Sequence, residues 1–294
     1  MNVAVLGGTG FVGHHLVKKL LETNHHLTLL VHRHLNKEIS YDNINVIYGD
    51  IETIDSLDKA FENIDVVYHL VGIIAETKDK KFDKTVAEGT KNVVKACIEK
   101  GVKKIIYLSA LGTSKSAKTK YHQTKYQAEQ AIETSGLNFI IYRPSIVYGP
   151  GDSFISQLSK IIKWFPFTPV IGSGKYLFQP IFIDDLIQAM VLGLEIPEAT
   201  GQIIDIAGPE KLEYLKILNI IKKVLRKKRL NFYIPITVMK KIAFCLEKIM
   251  KPSPITREQL LMMEMGNTGD ISTMEKLFSI KPIDLENGLK KYLR

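Results

Sequence analysis

The glycine-rich segment near the start of the chain constrains the fold more than any other part of the sequence. A short apolar run at 3–6 ends at Gly7, and glycines return at Gly10 and Gly13 before an apolar pattern with helical spacing. This is the order of a buried strand, a tight turn and a helix. Glycine is needed where the backbone turns sharply or approaches a ligand, and a helix N-terminus attracts phosphate. The segment predicts a cradle for a dinucleotide diphosphate, with Thr9 in its turn.

Composition and length limit the class of protein. The 294 residues are 45% hydrophobic and 24% charged, which is typical of one large or two smaller globular α/β units. Cys97 and Cys245 are too few for a disulfide framework and have no metal-ligand spacing, so we expect a reducing compartment and no metal. No signal peptide or membrane-spanning run is visible. We expect a cytoplasmic protein, with a peripheral position at the inner membrane face as the alternative.

Strand and helix patterns alternate through the first half of the chain. We predict strands at 2–6, 27–31, 44–48, 64–70, 103–109 and 138–143. We predict helices at about 11–23, 56–62, 82–100 and 119–135. Such alternation, with nearly continuous apolar strands, favours a Rossmann-type α/β fold in which helices cover both faces of a parallel sheet. Ligands then bind at the carboxyl ends of the strands.

The second half has a different pattern. A helix at 152–163 precedes the proline-containing stretch 164–169, which cannot be a regular helix. The remaining predictions are a turn at 171–175, a short strand at 179–183, a helix capped by Asp184, and mainly helices from 211 with a break at 251–254. We therefore assign 1–150, joined by 177–209, to a dinucleotide-binding domain. The segments 151–176 and 210–294 are assigned to a smaller, mostly helical lobe on the substrate side.

A tyrosine and a lysine four residues apart are the best candidates for catalysis. Tyr121 and Lys125 lie on one face of a predicted helix, so both can reach one ligand. A nearby ammonium group lowers the pKa of a phenol, and lysine can also hold the hydroxyls of a ribose. Ser109, at a strand end, is the best candidate to polarise a substrate oxygen, with Thr113 and Ser114 as alternatives.

Residues after the second and third strands bear on the type of dinucleotide. Arg33 follows the second strand, and no acidic residue occurs between 27 and 37. Arginine at this position accommodates the 2′-phosphate of NADP, whereas an acidic residue binds the ribose of NAD. We therefore favour NADP(H), with NAD(H) as the alternative. Asp50 can accept from the adenine amino group while Ile51 packs on the ring, and a turn cap is the competing explanation for Asp50.

These motifs occur in the order found in a known family. The chain resembles the extended and atypical short-chain dehydrogenase/reductases, which include NAD-dependent epimerase/dehydratase-like proteins. The segments 143–152 and 178–185 are most similar to the branch with the nucleotide-binding accessory subunit of complex I. In that branch the resemblance implies a tightly held NADP(H) that is either structural or turned over. Ala110 and Thr85 stand where family members have a serine and an asparagine.

The resemblance implies a role for individual positions. The implied diphosphate contacts are Gly7, Gly10, Phe11, Val12 and Gly13. The implied contacts to the remainder of the dinucleotide are Arg33 at the 2′-phosphate, Asp50 and Ile51 at adenine, Val71 near the ribose, Tyr121 and Lys125 at the nicotinamide ribose, and Pro144 and Ser145 beside the nicotinamide.

Aromatic residues downstream are candidates for a substrate pocket. We expect Phe154 and Tyr176, together with Gln179, to contact substrate, under a roof that also contains Trp164, Phe165 and Phe178. An apolar roof favours a small apolar substrate, and ordinary core packing is the alternative reading of the aromatic residues.

Two functions remain open from the sequence. The first is an oxidoreductase that moves a hydride between NADP(H) and a carbonyl or alcohol of a small apolar molecule, with Tyr121 as the general acid or base. The second is a catalytically silent accessory or assembly protein, stabilised by its dinucleotide, for a membrane complex similar to complex I.

The charge distribution bears on the choice of partner. The net charge is +9, and a basic cluster lies at 222–229. It is either a patch for anionic lipid, nucleic acid or an acidic protein, or a solvated helix face. We expect no nucleic-acid partner. The segment 236–250 has the spacing of an interfacial helix that could contact a membrane, or of a cover over the protein's own pocket.

Overall fold

The computed structural model describes residues 1–32, 44–250 and 252–293, so Arg33 lies outside the described residues. The strands are β1 (Asn2–Leu6), β2 (His26–Val31), β3 (Ile44–Tyr48), β4 (Val66–His69), β5 (Lys104–Leu108), β6 (Asn138–Pro144), β7 (Val147–Tyr148), β8 (Phe167–Ile171), β9 (Leu177–Phe178), β10 (Ile181–Phe182), β11 (Gln202–Ile206), β12 (Leu212–Glu213) and β13 (Leu230–Ile234). The helices are α1 (Phe11–Leu20), α2 (Ile54–Ala60), α3 (Gly89–Glu99), α4 (Lys120–Glu133), α5 (Phe154–Trp164), α6 (Ile183–Glu195), α7 (Tyr214–Val224), α8 (Ile236–Ile249), α9 (Arg257–Met265), α10 (Ser272–Phe278) and α11 (Leu285–Lys290).

A seven-stranded sheet positions the site. Its strand order is β11-β6-β5-β4-β1-β2-β3, and every neighbouring pair is parallel. The chain reverses its direction of winding between β1 and β4. In such sheets the crevice at the carboxyl ends of the two strands beside the reversal is where ligands bind.

Helices cover both faces of this sheet. Helices α1 and α6 pack in the core on one face, whereas α2, α3 and α4 pack in the core on the other. Strand residues alternate between the two cores, with Val3 and Val5 in one and Ala4 and Leu6 in the other. This arrangement confirms the predicted Rossmann-type fold, since only a sheet covered on both sides buries every residue of such strands.

The first-half predictions agree with the structure apart from one helix. The six predicted strands all form, and β11 adds a seventh beside β6. The helix predicted at 82–100 is divided into a π-helix, Phe82–Glu88, and α3. At their junction Gly89 packs closely on Ile51. A side chain at position 89 would not fit, since its Cβ would lie 2.7 Å from the Ile51 Cδ1 atom.

The second half contains strands that the sequence did not reveal. β8 begins within the stretch 164–169, which was predicted not to be a regular helix, and β13 forms where mainly helices were expected. The two pair in parallel across 63 residues of sequence, with Phe167 beside Leu230. The expected cap at Asp184 is wrong: α6 begins at Ile183, immediately after β10, so Asp184 lies within the first helical turn. Its carboxylate still suits the positive end of the helix.

The C-terminal helices pack around the sheet and on one another. α10 contacts β11 and α6, α11 contacts α7, and α8 packs on α9. No helix in the described part of the chain combines the length and the hydropathy that crossing a bilayer requires. The described residues also contain no cluster of three or more His, Cys, Asp or Glu side chains that could hold a metal ion.

Candidate functional site

The glycine turn between β1 and α1 leaves room only for backbone. Gly7 has a φ of +83°, which favours glycine. A Cβ on Gly13 would lie 2.1 Å from the carbonyl oxygen of Gly7 and 2.7 Å from the Cα of Gly8. Because both obstacles are backbone atoms, they cannot move aside cheaply. The turn therefore requires Gly13 for helix α1 to start so close to β1.

The N-terminus of α1 offers donors to a ligand. Gly10 occupies the cap position, no side chain among the described residues caps it, and the first turn contains no acidic residue. The first helical bond runs from the His14 N–H to the Gly10 carbonyl at 2.8 Å, so the N–H groups of Phe11, Val12 and Gly13 precede the helical ladder. Donors of this kind beside a bare glycine turn fit a diphosphate.

The expected adenine carboxylate is engaged by other side chains. Asp50 accepts hydrogen bonds from Lys80 Nζ at 2.6 Å and from the Glu52 N–H at 3.0 Å, and it lies 2.9 Å from His32 Nε2. Partial burial alone would raise the pKa of Asp50, but the hydrogen bonds and the Lys80 charge hold it below its usual value. The bond from Glu52 supports the turn-cap interpretation of Asp50. No local sequence pattern marks Lys80 as its partner.

Two other expected contacts lie around this crevice. Ile51 is buried against Gly89, and its carbonyl accepts from the Asn92 side chain at 3.2 Å. Val71 is half-buried just after β4, and a Cβ on Gly7 would lie 3.1 Å from its backbone nitrogen. The end of β4 thus lies directly against the glycine turn.

Helix α4 carries the predicted tyrosine and lysine. Its cap is Thr119, whose side chain accepts from the His122 N–H. Lys125 is buried, and its Nζ donates to the Leu108 carbonyl at the end of β5 at 2.7 Å. A Cβ on Gly72, just after β4, would lie 3.2 Å from the same Nζ. The lysine therefore stands between β4 and β5, at the crevice beside the switch point.

Burial sets the proton affinities of the pair. It raises the pKa of the Tyr121 phenol to about 12 and lowers the pKa of the Lys125 ammonium to about 7. The expectation that Lys125 lowers the pKa of Tyr121 is therefore wrong for this structure. The ammonium group donates to the Leu108 carbonyl and lies 4.6 Å from the centre of the Tyr107 ring. Desolvation therefore dominates both groups.

The hydroxyl expected near the substrate has a close neighbour. Ser109 is buried after β5, and its Oγ lies 3.4 Å from Thr113 Oγ1, also buried. Ser114, the other alternative, is exposed. The fold thus brings the first choice and one alternative together and leaves the third in solvent.

The contacts of the buried His69 are those of a packed residue of the core. His69 ends β4, its Nε2 lies 2.9 Å from Thr90 Oγ1, and its ring packs against Tyr107. Burial, with a smaller contribution from the Lys125 charge, lowers the pKa of His69 to about 3. It is therefore neutral over the physiological range, and packing accounts for its position.

The segment after β6 is held from the far side of the fold. The Pro144 carbonyl accepts from the Leu111 N–H at 3.0 Å, and the buried Ser145 hydroxyl donates to the Gln179 carbonyl. The buried Gln179 amide donates to the Gly208 carbonyl at 2.8 Å and accepts from the Gly269 N–H at 3.1 Å. Because both ends of this amide are engaged by backbone, Gln179 holds three segments together and does not present a free group to a substrate.

The expected aromatic roof does not form. Trp164 and Phe165 are exposed, whereas Phe178 is buried and contacts the Phe154 and Tyr214 rings. Core packing, the alternative reading, therefore describes Phe178 and its contact with Phe154. Tyr176 is half-buried, and its hydroxyl lies close to Gly172.

A cavity of about 490 Å³ is lined by two residues that contact Tyr121, Phe82 and Glu258. Phe82 lines it and packs on the Tyr121 ring at 5.9 Å between centroids. Glu258, on α9, also lines it and accepts from the Tyr121 N–H at 2.8 Å. The remaining lining residues are Ala75, Glu76, Thr77, Lys81, Lys120, Glu247, Met250, Ser253, Thr256 and Arg257. The lining mixes charged and apolar groups.

The sequence could not have revealed Glu258 as part of this site. It stands 137 residues from Tyr121, and its carboxylate satisfies a first-turn N–H of α4 that has no helical partner. It thereby ties the C-terminal helices to the helix that carries Tyr121 and Lys125. An acidic residue in the first turn of α9 has an ordinary helix-end explanation, so nothing local marks it.

Comparisons with known proteins agree with this geometry. A mitochondrial NADH dehydrogenase (ubiquinone) 1 alpha subcomplex subunit 9 from Arabidopsis thaliana is 25% identical, over 98% of this chain and 75% of that protein. The 3beta-hydroxysteroid-dehydrogenase/decarboxylase isoform 1 of the same plant is 24% identical, over 98% of this chain and 77% of its own length. A UDP-glucuronic acid 4-epimerase from Bacillus cereus, solved with NAD, has the same fold, with a TM-score of 0.77 at 24% identity, covering 99% and 94% of the two chains. Residues 3–207 match the model of the NAD dependent epimerase/dehydratase family, and the chain belongs to that family.

Proposed function

We propose that this protein is an NAD(P)-dependent oxidoreductase of the short-chain dehydrogenase/reductase type that acts on a carbonyl or alcohol. The observation that carries the proposal is the position of Lys125. It joins the end of β5 to the loop after β4, so the Tyr121–Lys125 face of α4 meets the crevice beside the diphosphate cradle. A dinucleotide held in that cradle would extend toward this pair.

The residues divide the chemistry among them. A bound nicotinamide supplies or accepts the hydride. With a pKa of about 12, Tyr121 is protonated at neutral pH and is suited to donate a proton to a substrate oxygen. Ser109, with Thr113 beside it, would donate a hydrogen bond to the same oxygen. Lys125 would donate to the hydroxyls of the nicotinamide ribose.

The cavity beside Tyr121 bears on the substrate class. Phe82 and Met250 offer apolar surface, whereas the charges of Lys81 and Arg257 are paired within the lining with Glu76 and Glu247. This lining of apolar side chains and paired charges supports a substrate with both apolar and polar parts, and the carbonyl or alcohol of a small apolar molecule expected from the sequence is of that kind.

NADP(H) is the dinucleotide we favour, and NAD(H) remains the alternative. The support is Arg33, which follows β2 in the sequence. Calorimetry with NADPH and NADH would test this preference. We expect Arg33→Ala to weaken NADPH binding and to leave NADH binding unchanged. Equal weakening of both, or no change in either, would contradict the preference.

The decisive variant for chemistry is Tyr121→Phe, which removes only the hydroxyl. We expect turnover of carbonyl substrates to fall by about 10²–10⁴-fold while dinucleotide affinity is kept. Tyr126→Phe, on the same helix, is the matched control and should retain activity. Full activity in Tyr121→Phe would exclude the proposed proton transfer.

A second candidate is a catalytically silent accessory or assembly protein of a membrane complex. The similarity to an NADH dehydrogenase subunit favours it. In that case the dinucleotide would raise the stability of the fold by binding only the native state. The outcome expected from this candidate is a large increase in melting temperature with NADPH, no turnover in a broad carbonyl screen, and unchanged complex assembly in cells that carry Tyr121→Phe.

A further inference from the structure

The β8–β13 pair has an apolar face that the described residues leave in solvent. Thr168 and Val170 of β8 are fully buried, so their side chains face the core. Side chains alternate along a strand, so Phe167, next to Thr168, points outward. The register places Leu230 beside it. Leu230 is 83% exposed. Parallel strands that are apolar on both faces are normally covered on both.

The exposed apolar side chains form one continuous surface, which we name the aromatic ribbon. The Phe167 ring lies 5.5 Å from the Phe232 ring and 6.4 Å from the Phe165 ring, measured between centroids. Next to Phe165, at the end of α5, Trp164 is 80% exposed. The members of the ribbon are Trp164, Phe165, Phe167, Leu230 and Phe232. Contiguous surfaces of this kind mark interaction sites.

The loop between α7 and β13, residues 225–229, contains Arg226, Lys227, Lys228 and Arg229, and we name it the cationic loop. It is fixed beside the aromatic ribbon. The side chain of Arg229 donates to the Ile162 and Lys163 carbonyls at 3.3 and 3.4 Å, which fixes the loop before β13 against the end of α5. Lys222 is engaged by Asn231 and Lys223 pairs with Glu286. Within the basic cluster at 222–229, three side chains, those of Lys222, Lys223 and Arg229, therefore have partners in the fold.

The other three basic side chains of the cluster are available to bind an external anion. No ion pair within the described ranges involves Arg226, Lys227 or Lys228. The two segments that form the surface, 153–183 and 214–246, contain no aspartate or glutamate but twelve lysines and arginines. The surface is therefore apolar at its centre and positively charged beside it.

We propose that the aromatic ribbon and the cationic loop dock the protein on an anionic lipid bilayer. Tryptophan and other aromatic side chains favour the membrane interface, and lysine and arginine beside them are attracted to anionic headgroups. A second copy of this chain is a poorer occupant, because in a symmetric dimer the patch meets itself and brings like charges together. Nucleic acid would leave the aliphatic Leu230 without a stacking partner. Membrane docking is independent of the dinucleotide chemistry proposed above.

The sole tryptophan of the chain provides a direct readout, because Trp164 lies in the ribbon. Phosphatidylcholine vesicles with and without phosphatidylglycerol are added to the protein at physiological salt. We expect Trp164 emission to shift to the blue and brominated acyl chains to quench it, only when phosphatidylglycerol is present. No shift or co-sedimentation with these vesicles would overturn the proposal.

Variants separate the two components. Leu230→Glu should lower partition onto vesicles by roughly tenfold or more, because a charge replaces an inserted apolar side chain. Combined Arg226→Ser, Lys227→Ser and Lys228→Ser should lower partition by roughly a hundredfold, because each cation contributes to attraction to the bilayer. Ile98→Glu, at an exposed apolar position of α3, is the matched control and should bind as the parent does.

Further measurements exclude the other occupants. Unchanged melting temperature in each variant would show that the fold is intact. Partition that is equal in Leu230→Glu and the parent would overturn the proposal. A blue shift that grows with protein concentration in the absence of lipid would indicate self-association, and one that appears with single-stranded RNA alone would indicate nucleic acid; either result without vesicle binding would also overturn it.

Discussion

The central sheet and the aromatic ribbon use the same parallel pairing but differ in what covers them. The inner strands of the sheet lie between two helical layers, and Val5 and Leu29 on them are fully buried. In the ribbon only one face of β8 has a protein cover, and Leu230 and Phe232 lie in solvent. Apolar side chains on strands therefore have two uses here. In the sheet they stabilise the fold, and in the ribbon they are available to something outside it.

The largest expected effect lies in the covered sheet. Leu29→Ala should destabilise the protein by about 3–4 kcal/mol, because it leaves a cavity in a core that cannot collapse around it. Chemical denaturation monitored by circular dichroism would measure the change. If the free energy of unfolding fell by less than about 1 kcal/mol, Leu29 would not be packed more tightly than an exposed residue of the ribbon, which would contradict the comparison.

The glycine turn should tolerate change almost as poorly. Gly13→Ala places a methyl group 2.1 Å from the Gly7 carbonyl oxygen, so we expect a loss of about 2–3 kcal/mol and of dinucleotide binding. Gly136→Ala is the control: its φ is +80° but no atom lies within 4 Å of the added carbon, so a cost of about 1 kcal/mol from backbone strain alone is expected. Equal costs in the two variants would exclude steric crowding at Gly13.

Lys125 is the covered residue whose replacement should stabilise the fold. Its pKa falls from 10.5 to about 7 on folding, so the unfolded chain binds more protons between these values and stability rises with pH across that window. At pH 7 and below, where the penalty for burying the ammonium is felt, Lys125→Met should be more stable by about 1–2 kcal/mol, after loss of the bond to Leu108 is subtracted. Denaturation midpoints measured across the window should show that the advantage of Lys125→Met shrinks as the pH rises. Parallel pH profiles for variant and parent would contradict the burial of a charged lysine.

The smallest effect is expected in the ribbon. Leu230→Ser removes the same kind of side chain as Leu29→Ala but from an exposed position, so stability should change by no more than about 0.5 kcal/mol. The same denaturation assay applies. A loss comparable to that of Leu29→Ala would show that the ribbon is covered in solution and would remove the contrast between the two regions.

The sequence predicted the dinucleotide-binding half well because its signals are local. Strand, turn and helix follow one another within residues 2–20, and the glycine spacing reflects contacts only a few residues apart. Tyr121 and Lys125 were likewise placed together by helical periodicity. Their proton affinities were not predictable, because the direction of the Tyr121 shift depends on burial by distant segments.

The second half was predicted less well because its contacts are long-range. β8 contains Pro169 and β13 follows a basic run, and neither has the local pattern of a strand. They form because each supplies the backbone partner of the other. For the same reason Gln179 was expected at a substrate, although its amide joins Gly208 to Gly269.

By itself, the sequence determined the alternation of strands and helices, the glycine turn and the helical face that carries Tyr121 and Lys125. All of these depend on residues close together in the chain, where periodicity and backbone sterics decide the outcome. Only the tertiary structure decided which apolar side chains are covered, which cations remain unpaired and which carboxylate supports α4. These depend on desolvation and on pairing between residues far apart in the chain, and Leu29 and Leu230 are the same residue type until the fold covers one of them.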